Sequence, residues 1–373
     1  MATSASSENA KIARMGPALE RVSGVLERLA RQGLQRVTAG SLREIQAVAQ
    51  TAQHARLVRL QRELESMSSM IGRYMERDPS FRPSQFVAVA NRIWLLVGET
   101  RRALASAPDL AALEPITGVP RRRYEEVHGP LDVECVGAAG WVTESGFVGV
   151  TAHLWSAATD RMLEAAMVRP DSLVGRDPTR LLTMGFSDVT PLTIQELCHG
   201  AWTLDGVRLS SDGRVSLHGG LSISPGPRLG RAALEPLAVP SADAILDRLA
   251  ARELHPVSGV GTLLVLIEPV AFGMVRVDET HARATSHVRD QHGAVLSVSV
   301  QLRPENDVLI DNLEKLRGAW APDGLIAEAS LWGRTIRLRP LSAVYASPVS
   351  LGRRVPSTHL VHLTVESLER ARR

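Results

Sequence analysis

A seven-residue segment that occurs twice in the second half of the chain is the feature that most constrains the fold. Residues 200–206 read GAWTLDG and residues 318–324 read GAWAPDG, so five of the seven positions agree at an offset of 118. Each copy precedes two alternating apolar runs around a turn, and the Asp-Gly pair supplies the positive φ that tight turns need. This shared order predicts one β unit made twice by duplication.

The order of predicted elements is the same in both copies. Three β segments come first, then one helix, then two more β segments. In the first copy the strands are predicted at 131–137, 146–155, 162–168, 205–211 and 214–224, with the helix at 191–199. In the second they are predicted at 261–277, 281–289, 294–302, 324–331 and 334–346, with the helix at 305–317. This is the element order of the OB-fold, a five-stranded Greek-key barrel. Residues 170–189 exceed what such a barrel needs and are predicted to be an insertion.

The first third of the chain has helical periodicity. Ile12, Met15 and Leu19 begin an apolar stripe that continues to Leu29 at intervals of three and four residues. Ser41 and Glu44 form a capping-box pattern that predicts the start of a second helix, which extends to about residue 77. A third helix is expected from Pro83. Three helices with short connections favour an antiparallel bundle.

The rear half of the predicted second helix is a candidate partner surface, because that helix is expected to be longer than its neighbours. The apolar stripe that would form this surface is Leu57, Leu60, Leu64, Met67, Ile71 and Tyr74. The alternative is that these side chains meet the other stripes inside the bundle.

The predicted fold class is therefore α+β, an N-terminal antiparallel three-helix bundle followed by two tandem OB-like β-barrel domains. The predicted boundaries are a helical bundle at 1–106, a linker at 107–130, a first OB-like domain at 131–240, a connecting helix at 241–256, a second OB-like domain at 257–350, and a C-terminal strand and short helix at 351–373.

Residue usage argues against several common chemistries. Only two of the 43 basic residues are lysines, Lys11 and Lys315, and neither follows a glycine, so a P-loop is absent from the sequence. No G-x-S-x-G segment and no apolar run long enough to span a membrane occurs.

Two cysteines, Cys135 and Cys198, are typical of reduced thiols in a cytoplasmic protein. A non-enzymatic protein without a cofactor is expected. A Cys198–His199 or metal-dependent enzyme, with Asp171, Asp177 and Asp188 as its acids, is the third alternative.

Aromatic and basic residues in the two β units are candidates for contact with single-stranded nucleic acid. OB barrels bind single strands through aromatic stacking platforms and basic grooves. The candidate residues are Trp141, Trp155, Arg161, Arg169, Arg276, Arg283, Arg289 and Trp332. Trp202 and Trp320 occupy equivalent places before a turn and are interpreted as structural.

The segments 140–146 (GWVTESG), 149–151 (GVT), 166–170 (AMVRP) and 209–214 (LSSDGR) resemble an uncharacterised bacterial family. Members of that family are encoded beside SWIM zinc-finger proteins, MoxR-type AAA+ ATPases and von Willebrand A-domain proteins. The resemblance covers residues 41–220 and assigns no functional residue. It implies a non-catalytic component of a multi-protein ATPase system, in stress response or defence.

The leading hypothesis from the sequence is a cytoplasmic bacterial adaptor or scaffold. Its helices and OB-like barrels would bind protein partners, such as an AAA+ ATPase or a von Willebrand A-domain protein. The alternative is a protein that binds single-stranded nucleic acid through tandem OB folds.

Overall fold

The computed structural model describes residues 2–79, 81–106, 109–118, 124–143, 146–186, 192–210, 213–216, 220–251, 262–317, 321–332, 335–345 and 359–365. The chain divides into two compact units. Unit 1 contains residues 1–122 and 253–260, and unit 2 contains residues 123–252 and 261–373. No helix in these ranges has both the length and the apolar character needed to cross a membrane.

Unit 1 is helical, as predicted. Its helices are α1 (Ala2–Gln32), α2 (Ala39–His54), α3 (Val58–Met75), α4 (Pro83–Ala105) and α5 (Leu110–Thr117). Helix α5 lies within the segment predicted to be a linker. The N-cap of α2 is Thr38, which forms a capping box with Ser41, so the predicted box between Ser41 and Glu44 is wrong.

The single second helix predicted over 41–77 is also wrong, because the chain breaks between α2 and α3. Arg56 has a φ of 61°, in the left-handed region, and the N–H of Leu57 donates to the carbonyl of Ala52 at 2.9 Å. These are the features of a helix C-terminus. The unit is consequently a bundle of four long helices and one short helix among the described residues, instead of three.

The predicted partner surface lies in the core of this bundle. The break at Arg56 turns α3 back against α2 and α4, which buries its apolar stripe. Leu57, Leu60, Leu64, Met67 and Ile71 are all at most 2% exposed. Tyr74 is half-buried and packs against the ring of Phe81 at 5.2 Å. The proposed exposure of this stripe was therefore wrong, and the stripe stabilises the bundle.

Unit 2 contains the β structure and its short helices. In chain order the elements are β1 (Tyr124–Glu126), β2 (Leu131–Val142), β3 (Phe147–Ser156), β4 (Arg161–Pro170), α6 (Asp171–Val174), α7 (Ile194–Cys198), β5 (Ala201–Asp205), β6 (Arg208–Ser210), β7 (Ser222–Pro225), α8 (Ala242–Ala251), β8 (Leu263–Ile267), β9 (Pro269–Phe272), β10 (Arg276–Asp278), β11 (Arg283–Asp290), β12 (Val295–Gln301), α9 (Asp307–Lys315), β13 (Gly324–Trp332), β14 (Thr335–Tyr345) and β15 (His359–His362). The C-terminal helix predicted after residue 365 and the tryptophan at position 320 lie outside the described residues.

Two large sheets form from these strands. The first sheet has the order β4-β3-β2-β5-β7 and is antiparallel throughout. The second has the order β10-β11-β12-β14-β13-β8, with β9 paired to β11 and β15 paired to β14. One pair in it, β12 with β14, is parallel. The second copy has the predicted order, with its first β segment divided into β8, β9 and β10. In the first copy the short helices α6 and α7 follow the third strand, and three short strands, β5, β6 and β7, follow α7 where two longer ones were predicted.

Neither sheet forms a closed barrel within the described residues. The first β segment of the second copy is interrupted twice, before Pro269, which has no N–H for a ladder bond, and again at residues 273–275, so it forms the separate strands β8, β9 and β10. In the first sheet, beside β4, a single bridge joins Glu164 to Arg214. The prediction of mixed α and β structure, with helices first and sheets after them, is confirmed.

The two sheets are packed together along β2. The hydroxyl of Ser342 donates to the carbonyl of Val136 at 2.8 Å and also contacts Nδ1 of His362 at 2.8 Å. A Cβ on Gly137 would meet the side chain of Leu341 at 2.5 Å, so only glycine permits this approach. A shared apolar cluster that includes Trp155 lies between the sheets.

Candidate nucleic-acid interface

One face of the second sheet is polar and open to solvent. Along β11, Ala284 and Val288 are buried, whereas the alternate residues His287 and Arg289 are exposed. Side chains alternate between the two faces of a strand, so the positions flanking the buried ones lie on the outer face. We name the following set the basic face: Arg276, Asp278, Arg283, Thr285, His287, Arg289, Ser297, Ser299 and Arg337.

Strand pairing brings these residues into rows across the sheet. Arg276 of β10 lies opposite Thr285 of β11, which in turn lies opposite Ser299 of β12. Ser297 of β12 is paired with Arg337 of β14 in the parallel ladder. The basic face therefore runs over four adjacent strands without a break in the hydrogen-bonded order.

Positive charge is in excess on the basic face, which has four arginines and one aspartate. Nε of Arg283 lies 3.5 Å from Oδ2 of Asp278, and Nδ1 of His281 lies 2.8 Å from the same oxygen. The backbone N–H of His281 donates to Asp278 and lowers the pKa of that carboxyl. Asp278 is therefore ionised at neutral pH and offsets one of the four arginines.

Two of the arginines are near one another. Burial, followed by the charge of Arg283, lowers the pKa of the Arg337 guanidinium. Like charges held together by the sheet repel each other, and an anion placed between them would relieve that repulsion. Guanidinium forks and hydroxyl groups are the side chains that contact phosphate oxygens in nucleic-acid complexes. The basic face supplies both kinds of group.

The corresponding surface of the first sheet is covered. Thr151, His153 and Trp155 alternate along one face of β3, and all three are buried. Nε1 of Trp155 donates to the carbonyl of Ala233 at 2.7 Å, and Nε2 of His153 lies 3.5 Å from Oε1 of Glu328. Trp155 therefore packs inside unit 2 and offers no stacking surface, contrary to its prediction as a nucleic-acid contact.

The other predicted residues of the first sheet do not form one surface. Trp141 is half-buried, and its ring lies over Gly149 while Nε1 donates to Oγ1 of Thr151 at 3.0 Å. Arg161 is exposed and Arg169 is half-buried, at opposite ends of β4. Their separation along the strand is roughly 26 Å, so they do not act on one phosphate.

In the second sheet the structure brings together Arg276, Arg283 and Arg289, which the sequence predicted. The sequence reasoning missed Arg337 and the hydroxyl groups of Thr285, Ser297 and Ser299. The alternation of the segment LSVSVQ in β12 was the available signal for the two serines. Trp332 is the last residue of β13, and its side chain lies outside the described part of the chain.

The residues of the predicted enzyme alternative have structural contacts. Sγ of Cys135 and Sγ of Cys198 are 3.5 Å apart and both are buried. Nδ1 of His199 lies 2.6 Å from the carbonyl of Gln195. Asp177 accepts the N–H and hydroxyl of Thr179. Within the described ranges, no group of three or more His, Cys, Asp or Glu side chains is arranged to hold a metal ion. Asp188 lies outside those ranges.

No protein-family model matches the sequence, and the search of curated proteins finds no match. Among solved structures, the chain is similar to one described under "Structural mimicry for functional antagonism", with 9% identity, a TM-score of 0.32, and coverage of 65% of this chain and 98% of that one. It is also similar to the Ifi202 HINa domain in complex with 20bp dsDNA, with 8% identity, a TM-score of 0.29, and coverage of 66% and 100%.

A third similarity is to a Replication Protein A heterotrimer bound to ssDNA, with 10% identity, a TM-score of 0.27, and coverage of 61% of this chain and 51% of that one. At TM-scores of this size, no property of these proteins is carried over to this chain.

Proposed function

We propose that this protein binds single-stranded nucleic acid across the basic face of its second sheet. The observation that carries the proposal is the joining of Arg276, Arg283, Arg289 and Arg337 with three hydroxyl side chains on one solvent-facing sheet surface. Phosphate contacts dominate the affinity of proteins for nucleic acid, and these are the groups that make such contacts.

The strand pairing supports an OB-like second domain. Its first β segment pairs on one side with β11, through β9 and β10, and on the other side with β13, through β8. The third and fifth segments, β12 and β14, are parallel. In an OB-fold the face of the second and third strands binds oligonucleotides. The second and third segments here are β11 and β12, which bear most of the basic face.

The chemistry of the basic face favours recognition of the sugar-phosphate backbone. Contacts from arginine and serine side chains to phosphate oxygens position a strand without reading its bases, and they give binding that weakens as salt is added. Among the described residues this face has no Phe, Tyr or Trp side chain, and its one imidazole is that of His287. Trp332, which the sequence predicts as a stacking platform, ends β13 and stays a prediction.

The adaptor role stays a prediction from the sequence. The apolar stripe that was expected to present a partner surface lies in the core of unit 1. Partnership with an AAA+ ATPase or a von Willebrand A-domain protein rests on the family resemblance alone.

Fluorescence anisotropy with a labelled 20-nucleotide single strand, at several salt concentrations, tests the proposal. The wild-type protein is expected to bind, with the logarithm of the association constant falling as the logarithm of salt rises. The double variant Arg283→Gln/Arg337→Gln removes two guanidiniums and is expected to lower the magnitude of that slope by about 1.4, at about 0.7 for each phosphate contact on a single strand.

The matched control is Arg161→Gln/Arg169→Gln, which removes two arginines from the first sheet. It is expected to bind as the wild type does, and circular dichroism checks that both variants keep their fold. Absence of salt-dependent binding by the wild type, or equal losses in the two double variants, would contradict the proposal.

A further inference from the structure

The end of β11 places a carboxylate on the buried face of the second sheet. Asp290 continues the inward-facing positions of Ala284 and Val288 and is 2% exposed. A register shift between Arg289 and Asp290 places it opposite Pro269, which has no N–H to donate. Irregularities of this kind redirect a side chain. The inner face of the strand therefore ends in a charged group where the alternation predicts an apolar one.

Among the described residues, one of the two carboxylate oxygens of Asp290 has hydrogen-bond donors and the other has none. Oδ1 accepts the N–H groups of His292 and Ala294, each at 2.9 Å, and these bonds fix the turn between β11 and β12. Oδ2 is buried and has no hydrogen-bond partner among the described residues. A buried carboxylate oxygen without a donor destabilises a fold. The hydrogen bonds of the turn explain why Oδ1 is buried, whereas no hydrogen bond among the described residues explains the burial of Oδ2.

Asp290 lines a cleft with a volume of about 320 Å³. The rest of its wall is mainly apolar, with two further carboxylates. The wall includes Val239, Ile245, Leu266, Leu296 and Gln291, and the two carboxylates are those of Glu235 and Glu268. No lysine or arginine lines the cleft among the described residues, although Glu268 is paired with Arg231 at its side, at 2.5 Å. The cleft thus combines net negative charge with an apolar wall.

We propose that this cleft binds a primary ammonium group carried on an aliphatic chain. The ammonium would donate to Oδ2 of Asp290, and the methylene groups would pack against Val239, Ile245 and Leu296. A cavity of this volume is in the range of small-ligand sites. Such a ligand has two sources, a free diamine or polyamine and the lysine side chain of another protein. The cleft lies on the inner side of β11, so this proposal is independent of the basic face.

Isothermal titration calorimetry on the full chain tests the proposal with three probes. The first is 1,5-diaminopentane, the second is 1,5-pentanediol, which has the same chain length without charge, and the third is the tripeptide amide acetyl-Gly-Lys-Gly-amide. We expect the diamine to bind and the diol not to bind, because only an ammonium provides a charge-assisted hydrogen bond to the carboxylate.

Asp290→Asn keeps the oxygen that accepts the two turn N–H groups and replaces the unpartnered oxygen by an amide. It is expected to weaken binding of the diamine at least about tenfold. The matched control is Asp160→Asn, at the hairpin turn of the first sheet, which is expected to leave binding unchanged. Gln291→Lys, at an exposed position on the cleft, adds an ammonium to the chain itself and is expected to compete with the ligand.

The arms of the experiment separate the two sources. Binding of the tripeptide as well as the diamine indicates a lysine of a protein partner, whereas binding of the diamine alone indicates a free diamine or polyamine. The proposal is overturned if neither amine binds, if the diol binds as well as the diamine, or if Asp290→Asn and Gln291→Lys both retain wild-type affinity.

Discussion

The two β sheets of unit 2 were predicted to have the same order of elements, but their strands differ in exposure. Strand β3 of the first sheet is buried along both faces from Val148 to Ser156, whereas β11 of the second alternates between buried and accessible residues. A continuous apolar run is typical of a strand that is covered on both sides, and alternation is typical of one that faces solvent. The second strands of the two predicted β units therefore differ in exposure: among the described residues β3 is covered on both faces and β11 on one.

The largest expected loss of stability comes from a substitution on the covered face of the first sheet. Trp155→Ala removes a ring that is 4% exposed and its bond to the carbonyl of Ala233, so we expect a loss of about 3–5 kcal/mol in the free energy of unfolding. Chemical denaturation measures this loss. His287→Ala on the basic face is the comparison and is expected to change stability by less than about 0.5 kcal/mol. A loss below about 1 kcal/mol for Trp155→Ala would mean that the first sheet is not covered.

Two glycines, Gly149 and Gly273, each pack against the ring of a neighbouring side chain, and substituting them should lower stability by smaller amounts. A Cβ at Gly149 would meet the ring of Trp141, and a Cβ at Gly273 would meet the ring of His287, each at 2.2 Å. The Trp141 ring is half-buried and bonded to Thr151, whereas His287 is exposed. We expect Gly149→Ala to cost about 1–3 kcal/mol and Gly273→Ala less than about 1 kcal/mol. Equal shifts in melting temperature for the two variants would contradict the difference in burial between the two sheets.

Local sequence patterns determine most of what could be predicted here. The first three strands and the helix of each copy, and the last two strands of the second copy, follow from alternation and turn residues, which are signals within a few neighbouring positions. The break at Arg56 and the helix α5, which holds Pro115, were missed. Proline is a usual signal for the end of a helix, and the left-handed residue at the break is an exposed arginine instead of the glycine that usually marks a helix C-terminus.

The site shows the same limit. Arg276, Arg283 and Arg289 were identified because they are basic residues in the first two predicted β segments of the second copy. Arg337 was missed because its neighbour Ser297 is forty residues away and belongs to a parallel pair. Trp155 was predicted to be accessible because the segment that covers it, around Ala233, is also distant in the sequence.

Two carboxyl groups should respond to pH in opposite directions. Burial raises the pKa of Glu134 in β2, although the Leu229 N–H and Arg228 partly offset this rise. The His281 N–H lowers the pKa of Asp278 on the basic face. The stability that Glu134 contributes is therefore present below its unfolded pKa and lost as pH rises. The contribution of Asp278 is present above its unfolded pKa and lost as pH falls.

The variants Glu134→Gln and Asp278→Asn isolate these two contributions. Relative to the wild type, Glu134→Gln is expected to gain unfolding free energy as pH rises above the unfolded pKa of a glutamate. Asp278→Asn is expected to gain relative stability as pH falls below about 4. Denaturation curves at several pH values measure both trends, and slopes of the same sign would contradict the assigned environments.

The smallest expected effect is that of one exposed arginine. Arg276→Gln removes one positive charge from the edge of the basic face and is expected to reduce the salt dependence of single-strand binding by about 0.7 in slope. Arg161→Gln, also an exposed arginine at the end of a strand, is the control in the first sheet. Anisotropy titrations at several salt concentrations measure the slope for each variant. A reduced slope for Arg161→Gln alone would indicate that the strand binds to the first sheet.

Photochemical cross-linking of a bound single strand, followed by mass spectrometry of the attached peptides, tests the central claim most directly. If the strand lies across the basic face, cross-linked peptides should come from residues 276–301 and 335–339. Cross-links confined to residues 147–170 of the first sheet, or to the helices of unit 1, would contradict the account.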